Sequence, residues 1–334
     1  MRTLNFFGDI LHLHEKGTSA MTAEVMQGEQ KSWAETPPMN PPLRYAIARV
    51  VESQTWLDKL GTPLQNWLLQ LYGQPGQPSR RIKDMLNGTW LGHALHPVFT
   101  DIPIGAWSGA MLLDLAWLND GSEGVARSAD IAMALGIVGA TAAAVTGVTD
   151  WSDLDGTDRR VGLMHGLLNS GILLTNIGSL VLRLTGRRRA GVALSTIGYL
   201  ASLFSAYLGG ELSFAKGIGV NHEAWEGGSD DYVAVMNVED LAEGELTRVD
   251  AAGIPAVLLK QGNTIYAIGA ICTHLAGPLD EGICEDGVVT CPWHGSRFRM
   301  SDGSVVNGPA VYAEPTFAVR VRDGKIELRR LDHA

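Results

Sequence analysis

The chain has 334 residues, of which 26 are Lys or Arg and 36 are Asp or Glu, so its formal net charge at pH 7 is −10. That negative charge argues against a nucleic-acid partner, because binding to phosphate backbones requires a basic surface. Three cysteines are too few for a disulfide framework, and two of them lie close to histidines, which favours a role as metal ligands. The first thirty residues lack a basic segment followed by an uninterrupted apolar run, so we expect no cleavable secretory signal.

The N-terminal part of the chain divides into a polar segment and an amphipathic one. Residues 1–43 are polar and contain two Pro-Pro pairs, which predicts a disordered tail. In the following segment, residues 44–90, apolar side chains recur at helical spacing. They are Val50, Val51, Trp56, Leu57, Leu60, Leu64, Trp67 and Leu68. We therefore predict an amphipathic helical region over residues 44–90.

Four apolar blocks follow, at residues 98–118, 131–149, 161–181 and 190–208. The last three contain no Asp, Glu, Lys or Arg, and each block has about the length that a helix needs to cross a bilayer. A soluble bundle with unusually apolar helices is the alternative, but four such blocks in a row favour a membrane. Small residues at interhelical spacing, Gly105 with Gly109 and Gly191 with Ser195, suit close helix packing in lipid. The sequence therefore predicts a four-helix transmembrane domain over residues 91–215.

The orientation of this domain rests on weak signals. With four spans, both ends of the bundle lie on one side of the membrane. Six basic residues lie near the spans on that side and five on the other, so the positive-inside rule decides little. Because neither a secretory signal nor a disulfide framework is predicted, we expect a multi-pass cell-membrane protein whose C-terminal domain is cytoplasmic.

From residue 230 the sequence changes to short β-like runs separated by turn pairs such as Gly262-Asn263 and Asp302-Gly303. The runs lie at residues 232–235, 256–259, 264–268, 288–291, 318–322 and 325–328. This pattern predicts a small all-β domain over residues 230–334, which holds 16 acidic and 9 basic residues and has a net charge of −7. The predicted fold class is thus α+β multidomain, with an N-terminal transmembrane four-helix bundle followed by a small all-β domain.

Two motifs within the β-domain combine a thiol with an imidazole. Cys272 and His274 are separated by one residue, Cys291 and His294 by two, and sixteen residues lie between the motifs. Two thiolates on one iron and two imidazoles on the other form a Rieske-type 2Fe–2S centre. A zinc site is the alternative, but zinc motifs usually pair Cys with Cys and His with His. The mixed pairs therefore favour the iron–sulfur cluster.

The residues around these motifs resemble the Rieske iron–sulfur family, and the resemblance extends over roughly residues 230–331. Its local features are Thr273 and Leu275 beside the first histidine, Gly295-Ser296 after the second, and Gly308-Pro309-Ala310 as the third loop. The resemblance implies that the four motif residues bind a 2Fe–2S cluster. It also implies that His274 and His294 expose their outer nitrogens at the domain tip, which would then be the face for electron transfer. Cys284 is left over as a free thiol.

Two departures from the cytochrome bc members of the family assign the domain to the ferredoxin and oxygenase type. The disulfide that links the two cluster loops in those proteins cannot form, because Gly277 and Trp293 occupy its positions. Ser296 retains one of two hydroxyls expected near the cluster, but Phe298 replaces the tyrosine. Fewer donors to sulfur stabilise the reduced cluster less, so we predict a potential between the extremes of roughly −150 and +300 mV.

Polar residues in the apolar region are the remaining candidates for a site, because such residues are costly in a membrane. His93, His96, Asp101 and His165 are predicted near the side that carries the β-domain. We keep open a purely structural role, a quinone site and a haem b site with His96 and His165 as ligands. Residues 91–107 and 146–165 resemble an uncharacterised bacterial four-helix membrane domain that is often fused to Rieske domains.

The leading functional hypothesis is a membrane-anchored Rieske protein that passes single electrons between a membrane donor and a soluble partner. The acidic β-domain would suit a redox partner with a basic docking face. The alternative is an enzyme, either a quinol oxidoreductase or an oxygenase component, with a second redox site in the bundle. The sequence does not define the oligomeric state.

Overall fold

The fold is taken from a computed structural model that describes residues 43–73, 77–225, 227 and 229–331. The chain divides after Val50 into two units, the second of which is Val51–Ala334. The first unit is described only by part of helix α1 (Leu43–Glu52). The tail predicted for residues 1–43 lies outside the described residues except for Leu43, which begins that helix.

The amphipathic region forms separate helices, of which α1 is the first. Helix α2 covers Trp56–Tyr72, and helix α3 covers Arg80–Asn87. Helix α3 ends because Gly88 adopts a left-handed conformation with φ of 91°, from which its N–H bonds to the carbonyl groups of Asp84 and Met85. A single helical turn at Thr89–Leu91 leads into the bundle.

Four long helices make up the bundle: α4 (Leu95–Asp120), α5 (Glu123–Trp151), α6 (Gly156–Leu184) and α7 (Arg188–Gly210). Short connections make neighbouring helices antiparallel, and α4 packs mainly on α5 while α6 packs mainly on α7. Among the described helices, three are long and apolar enough to cross a membrane, at Glu123–Trp151, Gly156–Leu184 and Arg188–Ala215. Helix α4 is long enough but carries Asp101, Asp114 and Asp120, and it is not among the three.

Small residues and one buried ion pair hold the helices together. A Cβ atom on Gly136 would lie 2.2 Å from the Trp107 side chain, so only glycine permits this contact. Gly105 and Gly109, in contrast, face open space, and they do not form the interhelical contact expected from their spacing. The Arg183 side chain is fully buried and bonds through both terminal nitrogens to Asp114. This pair joins α6 to α4 inside the bundle.

The C-terminal region consists of two antiparallel sheets. The first has the strand order β1-β10-β9-β4-β3-β2, and the second has the order β5-β6-β7-β8. The strands are β1 Val233–Asn237, β2 Leu246–Ala251, β3 Ile254–Gln261, β4 Thr264–Gly269, β5 Ile283–Glu285, β6 Val288–Thr290, β7 Arg297–Arg299, β8 Val305–Asn307, β9 Thr316–Arg322 and β10 Lys325–Leu331. The predicted all-β domain is therefore confirmed, although the sequence did not indicate β2, β5, β7 and β8.

A shared apolar core connects the two sheets. Ile268 from the first sheet and Val289 and Phe298 from the second belong to one buried cluster. Cys272 and Cys291 belong to the same cluster. The loops that carry these cysteines are thus anchored directly in the core, which fixes their positions relative to each other.

Candidate metal centre

Two loops of nearly equal construction carry the four candidate ligands. In the first, the Cys272 N–H donates to the Gly277 carbonyl at 2.8 Å and the Ala276 N–H donates to the Cys272 carbonyl at 2.9 Å. In the second, the Cys291 N–H donates to the Ser296 carbonyl at 2.8 Å and the Gly295 N–H donates to the Cys291 carbonyl at 3.1 Å. Each loop therefore closes on its own cysteine and presents its histidine two or three residues later.

The structure brings the two cysteines together in the interior. Cys272 is 1% exposed and Cys291 is 3% exposed. A hydrogen bond between the two sulfur atoms is the largest cause that lowers the pKa of Cys291 to about 7, and it raises the pKa of Cys272. Two adjacent buried sulfurs, one of which ionises readily, suit two thiolate ligands on the same iron.

The two histidines form a second pair beside the sulfurs. The ring centroids of His274 and His294 are 5.2 Å apart, and the ring planes lie at 83° to each other. Burial is the largest cause that lowers the pKa of both imidazoles, so they are neutral at physiological pH, as metal ligands must be. His294 directs Nε2 toward the Asp155 carboxylate at 3.8 Å, which leaves Nδ1 available for a metal.

Gly277 allows the two loops to approach each other closely. A Cβ atom on Gly277 would lie 2.7 Å from the Cys291 sulfur and 3.3 Å from the Trp293 ring, so the site requires glycine at this position. No group of three or more His, Cys, Asp or Glu side chains among the described residues is arranged to hold a single metal ion. A Rieske cluster takes only two protein ligands for each iron, so the observed pairs fit such a cluster.

Polar contacts from the third loop and from the buried Glu314 support these loops. The Ser296 hydroxyl oxygen accepts the Ala310 N–H at 3.0 Å, and the Glu314 carboxylate accepts the Thr273 N–H at 2.8 Å. Glu314 is fully buried beside Glu223, and burial is the largest cause that raises its pKa well above the usual range. Sequence reasoning missed both acids, since nothing in their spacing connects them with the cysteine motifs.

Comparison with known proteins gives two family matches that cover separate parts of the chain. Residues 231–318 match the Rieske [2Fe-2S] domain, and residues 92–222 match the family described as Predicted membrane protein (DUF2231). The ferredoxin component of the alkene monooxygenase system from Xanthobacter autotrophicus is 33% identical over 97 residues, which cover 29% of this chain and 79% of that protein. The chain belongs to the Rieske [2Fe–2S] family.

Other relatives match a stretch of similar length. Ferredoxin CarAc from Metapseudomonas resinovorans is 29% identical over 96 residues, which cover 28% of this chain and 90% of that protein. Apoptosis-inducing factor 3 from Homo sapiens is 32% identical, but the chain spans only 16% of its length. Among solved structures, the carbazole 1,9a-dioxygenase ferredoxin from Nocardioides aromaticivorans IC177 is 27% identical, with a TM-score of 0.29 and coverage of 29% of this chain and 96% of that one. The Rieske domain implies a 2Fe–2S cluster.

The histidine side of the Rieske domain is covered by the helical part of the chain. Arg80 donates hydrogen bonds to the carbonyls of His294 and Gly308, at 3.4 and 3.1 Å. Asp84 accepts hydrogen bonds from the Asn307 side chain and the Gly308 N–H, at 2.8 and 2.9 Å. His294 Nε2 therefore faces the helical part of the chain, where the Asp155 carboxylate lies 3.8 Å away, and both histidines are half-buried, which differs from the expectation that their outer nitrogens are exposed at a free tip.

A buried polar layer lies beneath this contact. Lys83, whose side chain is fully buried, forms an ion pair with Asp153 in the turn between α5 and α6. Burial lowers the pKa of Lys83, and the Asp153 carboxylate partly opposes that effect. Leu275, next to His274, packs against the apolar cluster formed by α2 and the neighbouring ends of α5 and α6. We name the surface formed by α3 and the α5–α6 turn the cluster seat.

Of the four polar residues predicted for a second site in the membrane, the structure brings His96 close enough to His165 to act on it electrostatically. His96 bonds through Nδ1 to the Ala143 carbonyl at 2.8 Å, and His165 bonds through Nδ1 to the Ser205 carbonyl at 3.0 Å. His93 and Asp101 are both exposed, and His93 lies edge-on to a tyrosine of the Rieske domain. Nothing in these contacts points to haem or quinone.

Proposed function

We propose that this protein is a membrane-anchored electron carrier in which Cys272, His274, Cys291 and His294 hold a 2Fe–2S cluster. The pairing of two buried sulfurs with two neutral imidazoles carries this proposal, because each pair suits one iron. When bound, such a cluster supplies reversible one-electron transfer. The chain's own residues hold the cluster in a dry core and fix the loops that surround it.

The surroundings of the two loops differ, and this difference suggests a direction for electron transfer. The histidines face the cluster seat, at the same end of the bundle as the α5–α6 turn. Trp293, whose ring centroid is 6.4 Å from that of His294, is 58% exposed and lies against Gly277, next to the Cys291 sulfur. We therefore assign the histidine side to a redox donor in the membrane and the Trp293 side to a soluble partner.

The soluble partner is proposed to be a protein with a basic docking face. The net charge of −7 over residues 230–334 favours encounter with a positively charged surface. Several relatives are named as ferredoxin components of monooxygenase or dioxygenase systems, so an oxygenase is a reasonable class of partner.

We further propose a multi-pass protein of the cell membrane with residues 91–215 as the membrane domain and residues 230–334 as a cytoplasmic Rieske domain. Three helices with apolar, outward-facing side chains support the membrane assignment. Digestion of oriented inside-out vesicles with a protease tests the side. We expect cleavage to release cluster-bearing fragments from inside-out vesicles and none from right-side-out vesicles.

Electron transfer is tested with the full chain in lipid nanodiscs, reduced with stoichiometric dithionite and mixed with cytochrome c, a small basic haem protein. We expect one electron per chain, at a rate that falls as salt screens the acidic domain. Cys291→Ser should transfer no electron, whereas Cys284→Ser serves as the matched control and should behave as the wild type. Equal rates in Cys291→Ser and wild type would refute the proposed function.

A further inference from the structure

Helix α2 carries an apolar stripe that the fold itself does not use. Its buried face, with Leu57, Leu68 and Tyr72, packs against Trp151 and Leu163 at the ends of α5 and α6. The stripe is formed by five large apolar residues on an adjacent face, spaced by three or four positions as on one side of a helix. They are Trp56 (45% exposed), Leu60 (51%), Leu64 (36%), Trp67 (58%) and Leu71 (55%).

The third face of α2 is polar. Thr62, Asn66 and Gln70 are exposed and lie on the side of the helix away from the stripe. Two tryptophans, three leucines and a separate polar face form the pattern of a helix that lies in the plane of a membrane surface. A helix packed on a soluble protein would not need this second apolar face.

Helix α3 and the turn after it extend the apolar surface. Ile82 and Met85 are each 55% exposed, and Trp90 is 68% exposed. Arg80 and Lys83 of α3 point the other way and are buried in the cluster seat, whereas Arg81 is exposed. The usual arrangement of a surface helix is therefore reversed: its polar face contacts protein and its apolar face is open.

The location of the stripe identifies what covers it. Helix α2 packs at the ends of α5 and α6, two helices that are apolar enough to cross a membrane. Near these same ends the bundle also exposes apolar side chains, among them Val145 on α5 and Leu167 on α6. An apolar stripe at the end of membrane-spanning helices lies where headgroups meet acyl chains, the preferred depth of tryptophan.

We propose that α2 and α3 form a collar that lies in the bilayer surface, with Trp56, Leu60, Leu64, Trp67 and Leu71 inserted among the lipids. The proposal rests only on the membrane part of the proposed function and not on the cluster. Because α3 forms the cluster seat, the collar holds the histidine side of the Rieske domain at the level of the membrane surface. A lipid-soluble redox donor would then reach it without leaving the bilayer.

Brominated lipids test the proposal, because they quench tryptophan emission on contact. The full chain is reconstituted in vesicles of phosphatidylcholine brominated near the top of the acyl chain, and the quenched share of total tryptophan emission is measured. Removing quenched tryptophans lowers this share, whereas removing unquenched ones raises it. We expect the share to fall in the Trp56→Phe/Trp67→Phe variant and to rise in the control Trp293→Phe, whose tryptophan is exposed on the Rieske domain.

A rise in both variants would overturn the proposal, since Trp56 and Trp67 would then be out of contact with lipid. In that case the Leu60→Ser/Leu64→Ser variant in nanodiscs tests whether a second copy of the chain covers the stripe instead of lipid. If these substitutions reduce the mass of the particle from two copies to one, the stripe is a contact between copies. The EPR signal of the cluster, recorded on the same vesicles, reports on the proposed function independently of the quenching result.

Discussion

The Ser296 hydroxyl oxygen accepts the Ala310 N–H, so its proton remains free to donate to a cluster sulfur. Such a bond stabilises the reduced cluster, which carries one more negative charge. We expect Ser296→Ala to lower the reduction midpoint by ~40 mV, the one-electron equivalent of about 1 kcal/mol of net hydrogen-bond energy. An EPR-monitored redox titration measures it. Ser304→Ala, which removes a hydroxyl bonded to Asp302 in an outer turn, is the control; an unchanged midpoint for Ser296→Ala would exclude the bond to sulfur.

Glu314 makes stability depend on pH. Burial raises the pKa of its carboxyl above that in the unfolded chain, and the adjacent Glu223 adds to the effect. The folded state therefore binds the proton more tightly, and its stability falls as pH rises from the unfolded pKa toward the folded one. Glu314→Gln removes this loss and keeps an acceptor for the Thr273 N–H.

The unfolding midpoint of the cluster-loaded protein, followed by cluster absorbance from about pH 5 to about pH 9, tests this expectation. The advantage of Glu314→Gln over wild type should grow with pH. If the unfolding midpoints of Glu314→Gln and wild type differed by the same amount at every pH in that range, the pKa of Glu314 in the folded protein would not be raised.

The sequence indicated the four candidate ligands because each motif places a thiol and an imidazole within three residues. It could not indicate Glu314, which is forty residues from the loop that it supports. The adjacency of Gly277 and Trp293 was foreseen only as the position of a disulfide in relatives; the structure shows the indole packed on the glycine instead.

Among the helices, α3 has the most direct effect on the cluster loops. Asp84 accepts two hydrogen bonds from the third loop, and bonds to a charged acceptor are each worth about 1.5–3 kcal/mol. Asp84→Ala should raise the hydrogen-exchange rate of the Gly308 amide roughly tenfold or more. The neighbouring, exposed Arg81→Ala is the control. If the Gly308 amide exchanged at the same rate in both variants, the hydrogen bond between Asp84 and the third loop would be contradicted.

A second prediction for α3 concerns the buried ion pair between Lys83 and Asp153. Lys83→Met leaves the Asp153 carboxylate buried and uncompensated, which should cost about 3–5 kcal/mol of unfolding free energy. Lys83→Met/Asp153→Leu should recover most of that loss, because both charges are then absent. Thermal unfolding in detergent of wild type, Lys83→Met, Asp153→Leu and the double variant measures the coupling; strictly additive losses would mean that the two groups do not interact.

The same elements show where sequence reasoning about helices reaches its limit. Three of the four long helices were predictable because charge-free blocks of sufficient length are rare outside membranes, and α4 was predictable from a long block that is apolar except for two aspartates. The polar face of α3 was not interpretable, since Arg80, Lys83 and Asn87 have the same spacing whether they face water or a buried partner. A polar helical face predicts contact with polar surroundings, and only the fold identifies those surroundings as protein.

At the scale of the whole molecule, two modules of different composition were recognisable from sequence, but their contact was not. The seat joins residues more than two hundred positions apart, such as Arg80 and His294, through complementary surfaces that leave no local pattern. The consequence bears on the proposed function: the chain's own helices cover part of the histidine side and leave both imidazoles half-buried, so we propose that soluble proteins exchange electrons at the exposed Trp293.

The central claim is that a Rieske cluster lies on Cys272, His274, Cys291 and His294. EPR of the dithionite-reduced full chain, purified in detergent, tests this claim most directly. Wild type and Cys284→Ser should give a rhombic signal with the low average g value of histidine-ligated clusters, and Cys291→Ser should give none. A signal typical of an all-cysteine cluster, or an EPR-silent protein with one bound zinc per chain, would contradict the claim.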